Sequence, residues 1–462
     1  MTDPNKQMAL RIAQAAAAMG GRVFYVGGLV RDKLMGRESK DVDIEVHGIP
    51  PKTLEAILDH LGERTQMGAS FGVYGLRHYD IDIALPRKEE ATGRGHKDFA
   101  VFADPFLGTK KAAVRRDFTI NALMEDVITG EIIDHFGGQE DLKNGVIRHI
   151  NDATFTDDPL RVLRGAQFAA RFHFTVAPET AALCRGIDLS FLASERIFSE
   201  LEKALLKAEK PSEFFQFLRD IQQLHLWFPE IEALIGVPQN PVHHPEGDVW
   251  NHTMMVLDQA ARLRDQARQP LSFMLSALCH DLGKPKTTAL EDGVLRSIGH
   301  EQAGVPLAEQ FLSRITHETR LHKYVLNMVA LHMYPNQRAK QGSSQKAMNH
   351  LFDSSLCPED LLLLAKADHT GRTLDREYGP TEEILREQLA RFHAIMALPF
   401  VKGADLIAAG LRPGTDFGEA LAYAHKLRLA AVPYESALRQ TIGYLERLRS
   451  DAEKGKTAAS PS

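Results

Sequence analysis

The hydrophobic pattern of this 462-residue chain changes near residue 150. Before that point, short apolar or alternating runs are separated by helical stretches, which is typical of a small α/β domain. After it, apolar residues recur at helical spacing. We therefore predict an α/β N-terminal head followed by an all-α body, with no strand beyond residue 150. At roughly 150 residues per domain, the length allows about three domains.

The same pattern divides the chain into four predicted parts. These are the head over residues 1–146, a helical neck over 147–235, a second helical domain over 236–375 and a helical tail over 376–462. Residues 88–109 hold glycines and charges without a clear period, which predicts a mobile loop. The small polar residues 451–462 predict a disordered end.

Composition and charge restrict the class of protein. Hydrophobic residues make up 44% and charged residues 25%, and no apolar run approaches the roughly 20 residues of a membrane helix. The N-terminus lacks the features of a secretory signal. Three widely spaced cysteines argue against a disulfide framework and fit a reducing cytoplasm. The net charge of −6 weakly disfavours non-specific nucleic-acid binding but allows a local basic groove. We expect a cytoplasmic protein with no membrane partner; the oligomeric state stays open.

Asp41 and Asp43 flank one valine in an alternating segment. Residues two apart on a strand share a face, so both carboxylates are expected on one side of the sheet. Two close carboxylates repel each other unless a cation lies between them, and such oxygen ligands suit Mg²⁺ together with substrate phosphates. The alternative is a solvated strand edge.

A glycine pair lies just upstream of these aspartates. Gly27 and Gly28 stand between an apolar run and a predicted helix, where backbone N–H groups can approach a phosphate. Arg31 on that helix could bind the same phosphates. No G-x-G-x-x-G motif follows the first strand, which disfavours a dinucleotide-binding fold. The residues between Gly27 and Asp43 therefore predict a nucleotide and metal site.

A second aspartate pair, Asp80 and Asp82, occupies a predicted hairpin. One of them could be a third carboxylate near the metal, able to accept a proton from an attacking hydroxyl. We prefer Asp82, which is nearer the end of the strand. The alternative places both residues on the solvent face of the hairpin.

The segment RRDFTINALMEDV (115–127) is predicted to be helical. Arg116, Asp117 and Asn121 then span just over one helical turn and can share a face. Arginine suits a triphosphate and asparagine suits a ribose hydroxyl, while Asp117 could orient an arginine.

The segments GGLVRD, DVD, RRDFTINAL and DHFGGQEDL follow one another in an order that resembles the class II tRNA nucleotidyltransferases. That family shares a polymerase-beta-like head with bacterial poly(A) polymerases, and the resemblance covers residues 20 to about 235. It implies addition of C, C and A to the 3′ end of tRNA without a nucleic-acid template, from CTP and ATP with Mg²⁺. It further implies that Asp41 and Asp43 are the metal-binding pair. By the same resemblance, Gly28, Arg31 and Arg116 contact the incoming nucleotide, and Asn121 contacts its ribose.

The neck segment DDPLRVLR resembles the family's E-D-x-x-R segment, whose side chains mimic a base edge and select C or A. Asp158 and Arg161 match that pair, and Arg164 lies one turn further on. An aspartate can accept from an exocyclic amine, and an arginine can donate to ring nitrogen and carbonyl groups. Asp157 replaces the usual Glu, and Gln167 stands where close relatives often carry Arg, so Gln167 is left out of the predicted site. The alternative is a set of surface ion pairs.

Two further helical segments carry charges with other expected roles. Arg196 and Glu200 in SERIFSEL are four residues apart and are interpreted as structural support for the neck. The tail resembles a helical C-terminal segment of the nucleotidyltransferases. Its basic residues could contact the tRNA backbone or simply be solvated: Lys402, Arg412, Lys426 and Arg428.

Histidines and aspartates recur in order between residues 243 and 369. Adjacent His280 and Asp281 cannot share one side of a regular helix, but they can converge on a metal from a helix end. Imidazole and carboxylate ligands suit Ni, Mn, Zn, Fe or Mg, and a metal there could activate water for phosphoester hydrolysis. The candidate ligands are His252, His280, Asp281 and Asp368.

This ordered set resembles the HD phosphohydrolase superfamily, and HDLGKP is its most specific piece. His300 and His332 stand where two-metal relatives place extra ligands, and Lys284 could contact a substrate phosphate. For CCA-adding proteins with such a domain, the resemblance implies 2′,3′-cyclic phosphodiesterase, 2′-nucleotidase and phosphatase activities. A folded but inactive domain is the alternative, and His243 and His369 are interpreted as ordinary residues.

Other functions compete with full CCA addition. The first group comprises CC addition alone, A addition alone and poly(A) synthesis, and the absence of a strongly basic C-terminus argues against the last. The second is an HD phosphohydrolase whose head only binds RNA or nucleotide. The third is a non-catalytic tRNA-binding module, which would leave two predicted metal sites unexplained.

Overall fold

The computed structural model describes residues 3–39, 41–66, 73–91, 99–373 and 377–458. The chain forms two compact units. The first contains the chain up to Pro229 together with Arg314–Thr316, and the second contains Glu230–Ser313 and the chain from His317. The predicted head and neck thus share one unit, and most of the predicted second helical domain shares the other with the tail. The finer division into four domains stays a prediction.

The N-terminal part alternates strands and short helices, which confirms the predicted α/β head. Its strands are β1 (Arg22–Val26), β2 (Val42–His47), β3 (Arg64–Gln66), β4 (Val73–Leu76), β5 (Ile81–Ala84), β6 (Arg87–Ala91), β7 (Phe99–Ala103), β8 (Met124–Asp126), β9 (Ile132–Ile133) and β10 (Val146–Ile147). Its helices are α1 (Pro4–Ala18), α2 (Gly28–Leu34), α3 (Pro51–Leu61), α4 (Thr109–Val114) and α5 (Gly138–Asn144).

Seven of these strands form one mixed sheet in the order β3-β4-β5-β2-β1-β8-β9. Strand β1 is antiparallel to β2 and β8, whereas β2 is parallel to β5. Val42, Ile44 and Val46 of β2 belong to one apolar core, to which α1 and α3 also contribute. Because side chains alternate along a strand, Asp43 and Glu45 are turned to the opposite face. The burial of one face therefore fixes the position of the acidic face.

The expected loop over residues 88–109 is wrong in part. Strands β6 and β7 pair antiparallel, with Arg87 opposite Ala103, and α4 begins at Thr109. Residues 92–98 lie outside the described residues. A two-stranded ribbon is held together by backbone hydrogen bonds, which do not require alternating apolar side chains. This segment of glycines and charges shows no such alternation, so its sequence did not predict the two strands.

The expected helix over RRDFTINAL is also wrong. Helix α4 ends at Val114, a single 3-10 turn covers Thr119–Asn121, and β8 begins at Met124. Phe118 instead forms a β-bridge with His149. The Asp117 carboxylate accepts a hydrogen bond from the Phe118 N–H at 2.8 Å, a local bond that competes with helix formation. Tertiary pairing and this side chain thus replace the helix that the sequence spacing predicted.

The remainder of the first unit is mostly helical. It contains α6 (Asp152–Thr156), α7 (Leu160–Phe172), β11 (Thr175–Val176), α8 (Pro178–Arg185), α9 (Ser194–Lys207) and α10 (Ser212–Asp220). Helix α7 buries Val162, Leu163 and Ala166 and packs on α9 and α10. The remaining arc of α7 carries the charged residues of the neck.

The rest of the chain is also largely helical, as predicted. Its elements are α11 (Pro229–Glu232), α12 (Val249–Leu263), α13 (Pro270–Cys279), α14 (Lys284–Thr287), β12 (Thr288–Glu291), β13 (Val294–Ser297), α15 (His300–Ile315), α16 (Thr319–Leu331), α17 (Tyr334–Lys340), α18 (Gln345–Ser354), α19 (Pro358–Thr370), α20 (Gly379–Ala397), α21 (Gly403–Ala408), α22 (Phe417–Leu429) and α23 (Tyr434–Ala458).

Three short strands correct the expectation that none follows residue 150. Strand β11 pairs with β10, and β12 and β13 form a hairpin. Asp292 and Gly293 form the two-residue turn of that hairpin, and both have positive φ. An Asp-Gly pair is among the strongest hairpin signals, so this strand pair was readable from the sequence.

The C-terminus also differs from expectation. Helix α23 continues to Ala458, so residues 451–458 are helical rather than disordered, and residues 459–462 lie outside the described part. Alanine, glutamate and lysine in this segment are good helix formers. Within the described ranges, no helix combines the length and apolar character needed to cross a membrane.

Candidate nucleotide site and metal centre

Three predicted carboxylates lie near the beginnings of two neighbouring inner strands of the head sheet. Asp43 on β2 lies directly opposite Asp82 on β5, and Asp41 immediately precedes β2. Burial and the negative charge of Asp82 raise the pKa of Asp43, while Arg116 opposes the shift and Asp41 adds to it. Concentrated negative charge of this kind fits a divalent cation held by oxygen ligands. The structure therefore brings together the residues that the sequence predicted as the metal site.

Glu45 is a residue of this face that the sequence reasoning missed. Its buried carboxylate lies 2.8 Å from His47 Nε2, 3.5 Å from Arg115 and 3.7 Å from Arg116. Burial raises its pKa, but the bond with His47 and the arginine charges lower the pKa to about 2. Glu45 thereby orients Arg116. The alternation that links Asp41 to Asp43 extends to position 45 and could have found it.

A cavity of about 520 Å³ lies beside Asp41 and Asp43 in this unit. It is lined by twice as many basic as acidic residues, although the chain as a whole is acidic. Such a surplus of positive charge attracts a polyphosphate. Every residue predicted to bind nucleotide is at its wall: Gly28, Arg31, Arg116, Asp117, Asn121, Asp158, Arg161 and Arg164.

A chain of hydrogen bonds fixes four of these residues. Arg31 donates to Asn121 Oδ1 at 2.6 Å, and Asn121 Nδ2 donates to Asp117 Oδ1 at 3.0 Å. Arg164 Nε donates to Asp117 Oδ2 at 2.7 Å. Arg31 is buried, which lowers its pKa, and its guanidinium also bonds Asp32. Although the predicted helix is absent, the network still places Asp117 and Asn121 together.

The neck residues Asp158 and Arg161 are not paired with each other. Asp158 Oδ2 lies 2.9 Å from Arg196 Nη2, whereas Arg161 donates to the carbonyls of Thr154 and Arg115. A guanidinium has five N–H donors, so donors remain for a base edge after these backbone bonds. Asp158 therefore pairs with Arg196 rather than with Arg161.

Helix α9 contributes more to the cavity than the sequence suggested. Arg196 lines it as well as supporting Asp158, whereas buried Glu200 lies 2.8 Å from Lys203 and 3.8 Å from Arg164. The sequence reasoning left out Gln167 and did not single out the remaining polar lining residues, Arg171, Lys203 and Lys207. The spacing of four between Lys203 and Lys207 was the available signal.

The two aspartates of the β5 hairpin can be separated by mutation. We expect Asp82→Asn to lower the rate of nucleotide transfer by about 100-fold or more, because a general base contributes 10²–10⁴-fold. Asp80 lies just before strand β5, and the variant Asp80→Asn is expected to retain near-normal activity. Single-turnover incorporation of labelled nucleotide measures both rates. A larger loss in Asp80→Asn than in Asp82→Asn would reverse the assignment.

The four predicted HD ligands also meet in the structure. His252 comes from α12, His280 and Asp281 directly follow α13, and Asp368 lies on α19. His252 Nε2 is 3.1 Å from Asp368 and 3.6 Å from Asp281, and His280 Nε2 is 3.1 Å from Asp281. All four are at most 5% exposed. The end of α13 at Cys279 frees the adjacent pair to converge, as predicted.

His300 and His332 extend this cluster on the other side of Asp281. Asp281 Oδ1 is 3.2 Å from His300 Nε2 and 3.9 Å from His332 Nε2. Burial lowers the pKa of His332 to about 3, and nearby His300 and His280 act in the same direction. A neutral imidazole keeps the lone pair that a metal requires.

The buried donor atoms test whether a metal fits. His280 Nε2 is buried and lies 3.1 Å from Asp281 Oδ2, but the contact does not have hydrogen-bond geometry, so this nitrogen has no hydrogen-bond partner within the described residues. Asp281 belongs to two groups of potential metal ligands, one with His252 and His280 and the other with His300 and His332. This donor set therefore fits one or two divalent metal ions.

A second cavity, of about 570 Å³, opens beside this cluster. Lys284 Nζ lies 2.6 Å from Asp281, and Arg372 Nη2 lies 3.2 Å from Asp368, so two cations sit at its wall. Residues of the β12–β13 hairpin also line it. Positive charge beside a metal cluster suits a phosphate ester. His243 lines this cavity too, whereas His369 packs against Tyr378.

Glu246, His244 and Arg372 were not singled out from the sequence. Glu246 Oε1 lies 2.8 Å from His244 Nδ1 and 3.1 Å from His252 Nδ1. Burial raises the pKa of Glu246, but the bonds with His252 and His244 help to lower it to about 2. The acidic residue within HHPEGD, close before His252, was the available signal.

Gly283 of the HDLGK segment is required by close backbone packing. A Cβ at this position would lie 2.0 Å from the His300 carbonyl oxygen and 2.6 Å from the Gly304 nitrogen. We expect Gly283→Ala to destabilise the protein by about 3 kcal/mol, at the upper end of overpacking costs. Denaturant unfolding checks this. Gly443→Ala, in open space within α23, is the matched control and should be neutral or stabilising by up to about 1 kcal/mol. Equal stability of the two variants would contradict the expectation.

Family comparisons agree with both sites. Residues 23–148 match the model described as poly A polymerase head domain. Residues 173–235 match the probable RNA- and SrmB-binding site of polymerase A, and residues 249–373 match the HD domain. Fold and site together define a nucleotidyltransferase that carries an HD metal centre.

Relatives identify the family more closely. A multifunctional CCA protein of Cupriavidus metallidurans is 39% identical over 382 residues, covering 79% of this chain and 89% of the relative. One of Thioalkalivibrio sulfidiphilus is 39% identical over 425 residues, covering 89% and 98%. The chain therefore belongs to the multifunctional CCA protein family.

A solved structure supports the fold over nearly the whole length. The Bacillus stearothermophilus CCA-adding enzyme in complex with CTP has a TM-score of 0.66 at 23% identity, covering 98% of this chain and 99% of the other. The Thermotoga maritima CCA-adding enzyme complexed with tRNA has a TM-score of 0.63 at 20% identity, covering 96% of each chain. At these identities, the likeness concerns the fold alone.

Proposed function

We propose that this protein adds CCA to the 3′ end of tRNA, using CTP and ATP without a nucleic-acid template. Membership of the multifunctional CCA protein family supports this function. The observation that carries it is that Asp41 and Asp43 line a cavity rich in arginine and lysine, with Asp82 opposite Asp43 on the neighbouring strand. A module that only binds tRNA has no use for such a carboxylate cluster.

The transfer joins the tRNA 3′-hydroxyl oxygen to the α-phosphate and releases pyrophosphate. Mg²⁺ bound to Asp41 and Asp43 would supply charge stabilisation at the reacting phosphate. Asp82 accepts the proton of the attacking hydroxyl. Arg116, oriented by Glu45, binds the triphosphate. The network from Arg31 to Asn121 holds the ribose-binding amide in place before the nucleotide arrives.

We assign selection of the nucleotide base to helix α7 and to the residues just before it. Asp158 retains acceptor capacity toward the exocyclic amine shared by C and A, while Arg196 holds its other side. Arg161, fixed by two backbone carbonyls, presents its remaining donors to the ring. Arg164 stays bound to Asp117 and so ties base recognition to the ribose contact.

The HD domain is proposed to hydrolyse phosphate esters, as a 2′,3′-cyclic phosphodiesterase, 2′-nucleotidase or phosphatase. A divalent ion such as Ni, Mn, Zn, Fe or Mg, bound by His252, His280, Asp281 and Asp368, would polarise the ester and promote ionisation of water. Lys284 and Arg372 supply the positive charge that binds the phosphate group.

The proposed partners are tRNA, CTP and ATP, and the proposed location is the cytoplasm. The exposed basic residues Lys402, Arg412 and Lys426 support tRNA contact. The Lys402 ammonium and the Arg428 guanidinium both lie over the Phe400 ring. Three buried cysteines without disulfides support a reducing compartment.

Sized reaction products test the main proposal. The protein is incubated with tRNA lacking CCA, Mg²⁺ and labelled CTP, ATP or both. We expect three added nucleotides, with A only after CC. Products ending at CC, or A added only to tRNA ending in CC, would indicate a split-function enzyme, and a long A ladder would indicate poly(A) synthesis. No incorporation would leave the HD centre as the main activity.

A further inference from the structure

Glu246 lies in the loop before α12, next to the proposed HD ligand His252. It is neither one of the proposed metal ligands nor one of the residues proposed to bind the phosphate group. Its side chain is 2% exposed. The loop is fixed by two local bonds, because Asn251 Nδ2 donates to the Glu246 carbonyl at 3.2 Å and Asp248 caps α12 through the Asn251 N–H. These bonds hold Glu246 at a defined position in the loop that leads into α12, the helix that carries His252.

One carboxylate oxygen serves two histidines. Glu246 Oε1 is 2.8 Å from His244 Nδ1 and 3.1 Å from His252 Nδ1, while Oε2 accepts from the Thr373 hydroxyl at 3.3 Å. An ionised carboxylate can only accept hydrogen bonds, so both Nδ1 atoms must carry the proton. The Nε2 atom of a neutral His244 is then left with its lone pair. His252 Nε2 lies at hydrogen-bond distance from Asp368 Oδ1, 3.1 Å, so a metal bound by both residues would replace a proton at this nitrogen while Nδ1 keeps its proton toward Glu246.

The consequence differs for the two rings. His252 Nε2 faces Asp368 at 3.1 Å and Asp281 at 3.6 Å, inside the ligand cluster. His244 is partly exposed and lines the cavity, so its Nε2, which keeps its lone pair, can accept a hydrogen bond from a hydroxyl group of a bound substrate or from water. We propose that Glu246 is a positioning residue that fixes the tautomer of His252 for metal binding through Nε2 and aligns His244 at the substrate cavity. This inference rests on the proposed HD metal centre.

A third metal held by His244, Glu246 and His252 is the competing arrangement, because their ligand atoms lie within 4.8 Å of one another. It would require His252 to bind metal through both nitrogens, since Nε2 faces Asp281 and Asp368. A histidine bonded to a carboxylate through one nitrogen and to metal through the other is the usual arrangement. The geometry therefore favours positioning.

Metal titration tests this directly. The full-length protein carrying Asp43→Asn, which weakens metal binding at the head, is stripped with chelator and titrated calorimetrically with Mn²⁺. Adding Glu246→Gln should weaken Mn²⁺ binding by about 10–100-fold with unchanged stoichiometry. Glutamine keeps one acceptor oxygen but loses the negative charge that strengthens both Nδ1–H bonds, so it holds the required tautomer less firmly. Glu246→Asp should recover part of the affinity, because it restores an acceptor-only side chain.

Two matched variants complete the design. Glu291→Gln lies on the β12–β13 hairpin with its side chain 48% exposed, and it should leave Mn²⁺ affinity unchanged. His244→Ala should keep the stoichiometry, whereas a third metal site would lose one equivalent in both His244→Ala and Glu246→Gln. Loss of one metal equivalent in both variants would overturn the positioning role of Glu246 and leave the proposed metal centre standing. Equal Mn²⁺ affinity of Glu246→Gln and its parent would have the same meaning. A parent protein that binds no Mn²⁺ at the HD site would overturn the proposed metal centre as well.

Discussion

Substitution of Asp43 by asparagine is expected to reduce CCA addition by about 10³-fold or more, corresponding to about 4 kcal/mol of lost transition-state stabilisation. Asp43 is the most buried member of the carboxylate cluster and faces Asp82 directly. The nearly isosteric amide removes the charge that holds a divalent cation but preserves the volume. Incorporation of labelled CTP and ATP into tRNA lacking CCA measures the loss across a Mg²⁺ titration.

Asp59→Asn is the matched control for this substitution. Asp59 lies in the last turn of α3 and forms an ion pair with Arg64 at 2.9 Å, and its side chain is 55% exposed. Its replacement should leave incorporation close to normal. Near-normal incorporation by Asp43→Asn itself would contradict the proposed metal site in the head.

The second large effect concerns the HD centre. Asp281→Asn is expected to lower hydrolysis of a 2′,3′-cyclic nucleotide by about 10³-fold or more, again about 4 kcal/mol. Asp281 belongs to both candidate ligand groups, so one substitution weakens both. Burial raises the pKa of Asp281, but its interactions with His280 and Lys284 hold that pKa well below the ordinary value. The carboxylate is thus ionised and ready to bind metal.

The same variant should keep CCA addition, because the carboxylates proposed for that reaction lie in the first compact unit. Asp292→Asn is the control, since asparagine also suits the positive φ of this hairpin turn. It should hydrolyse the cyclic nucleotide normally. Full hydrolysis by Asp281→Asn would contradict the assignment, whereas loss of both activities would indicate misfolding.

Local sequence pattern predicted most of the first site, including the sheet face of Asp41 and Asp43. Strand alternation fixes which side chains share a face once the apolar side is buried, and Val42, Ile44 and Val46 supply that apolar side. The same logic extends to Glu45, which was overlooked. The candidate nucleotide-binding residues could be named because their motifs occur in a specific order.

Spacing alone failed where distant backbone decided the conformation. Arg116, Asp117 and Asn121 were expected to share a helical face, but the bridge from Phe118 to His149 replaces that helix. Their proximity comes instead from hydrogen bonds that join residues far apart in the chain, such as Arg31 with Asn121. Such pairings leave no periodic trace in the sequence.

The amino-acid sequence by itself determined the α/β head, the largely helical remainder and the candidate ligands of the HD domain. These follow from short-range periodicity and from residue types whose chemistry limits what they can bind. Only the tertiary structure decided that Arg196 supports Asp158, that Arg161 is anchored by backbone carbonyls and that Glu246 bonds two histidines. Those contacts depend on how separate segments pack, because a hydrogen bond forms only when donor and acceptor meet at about 3 Å.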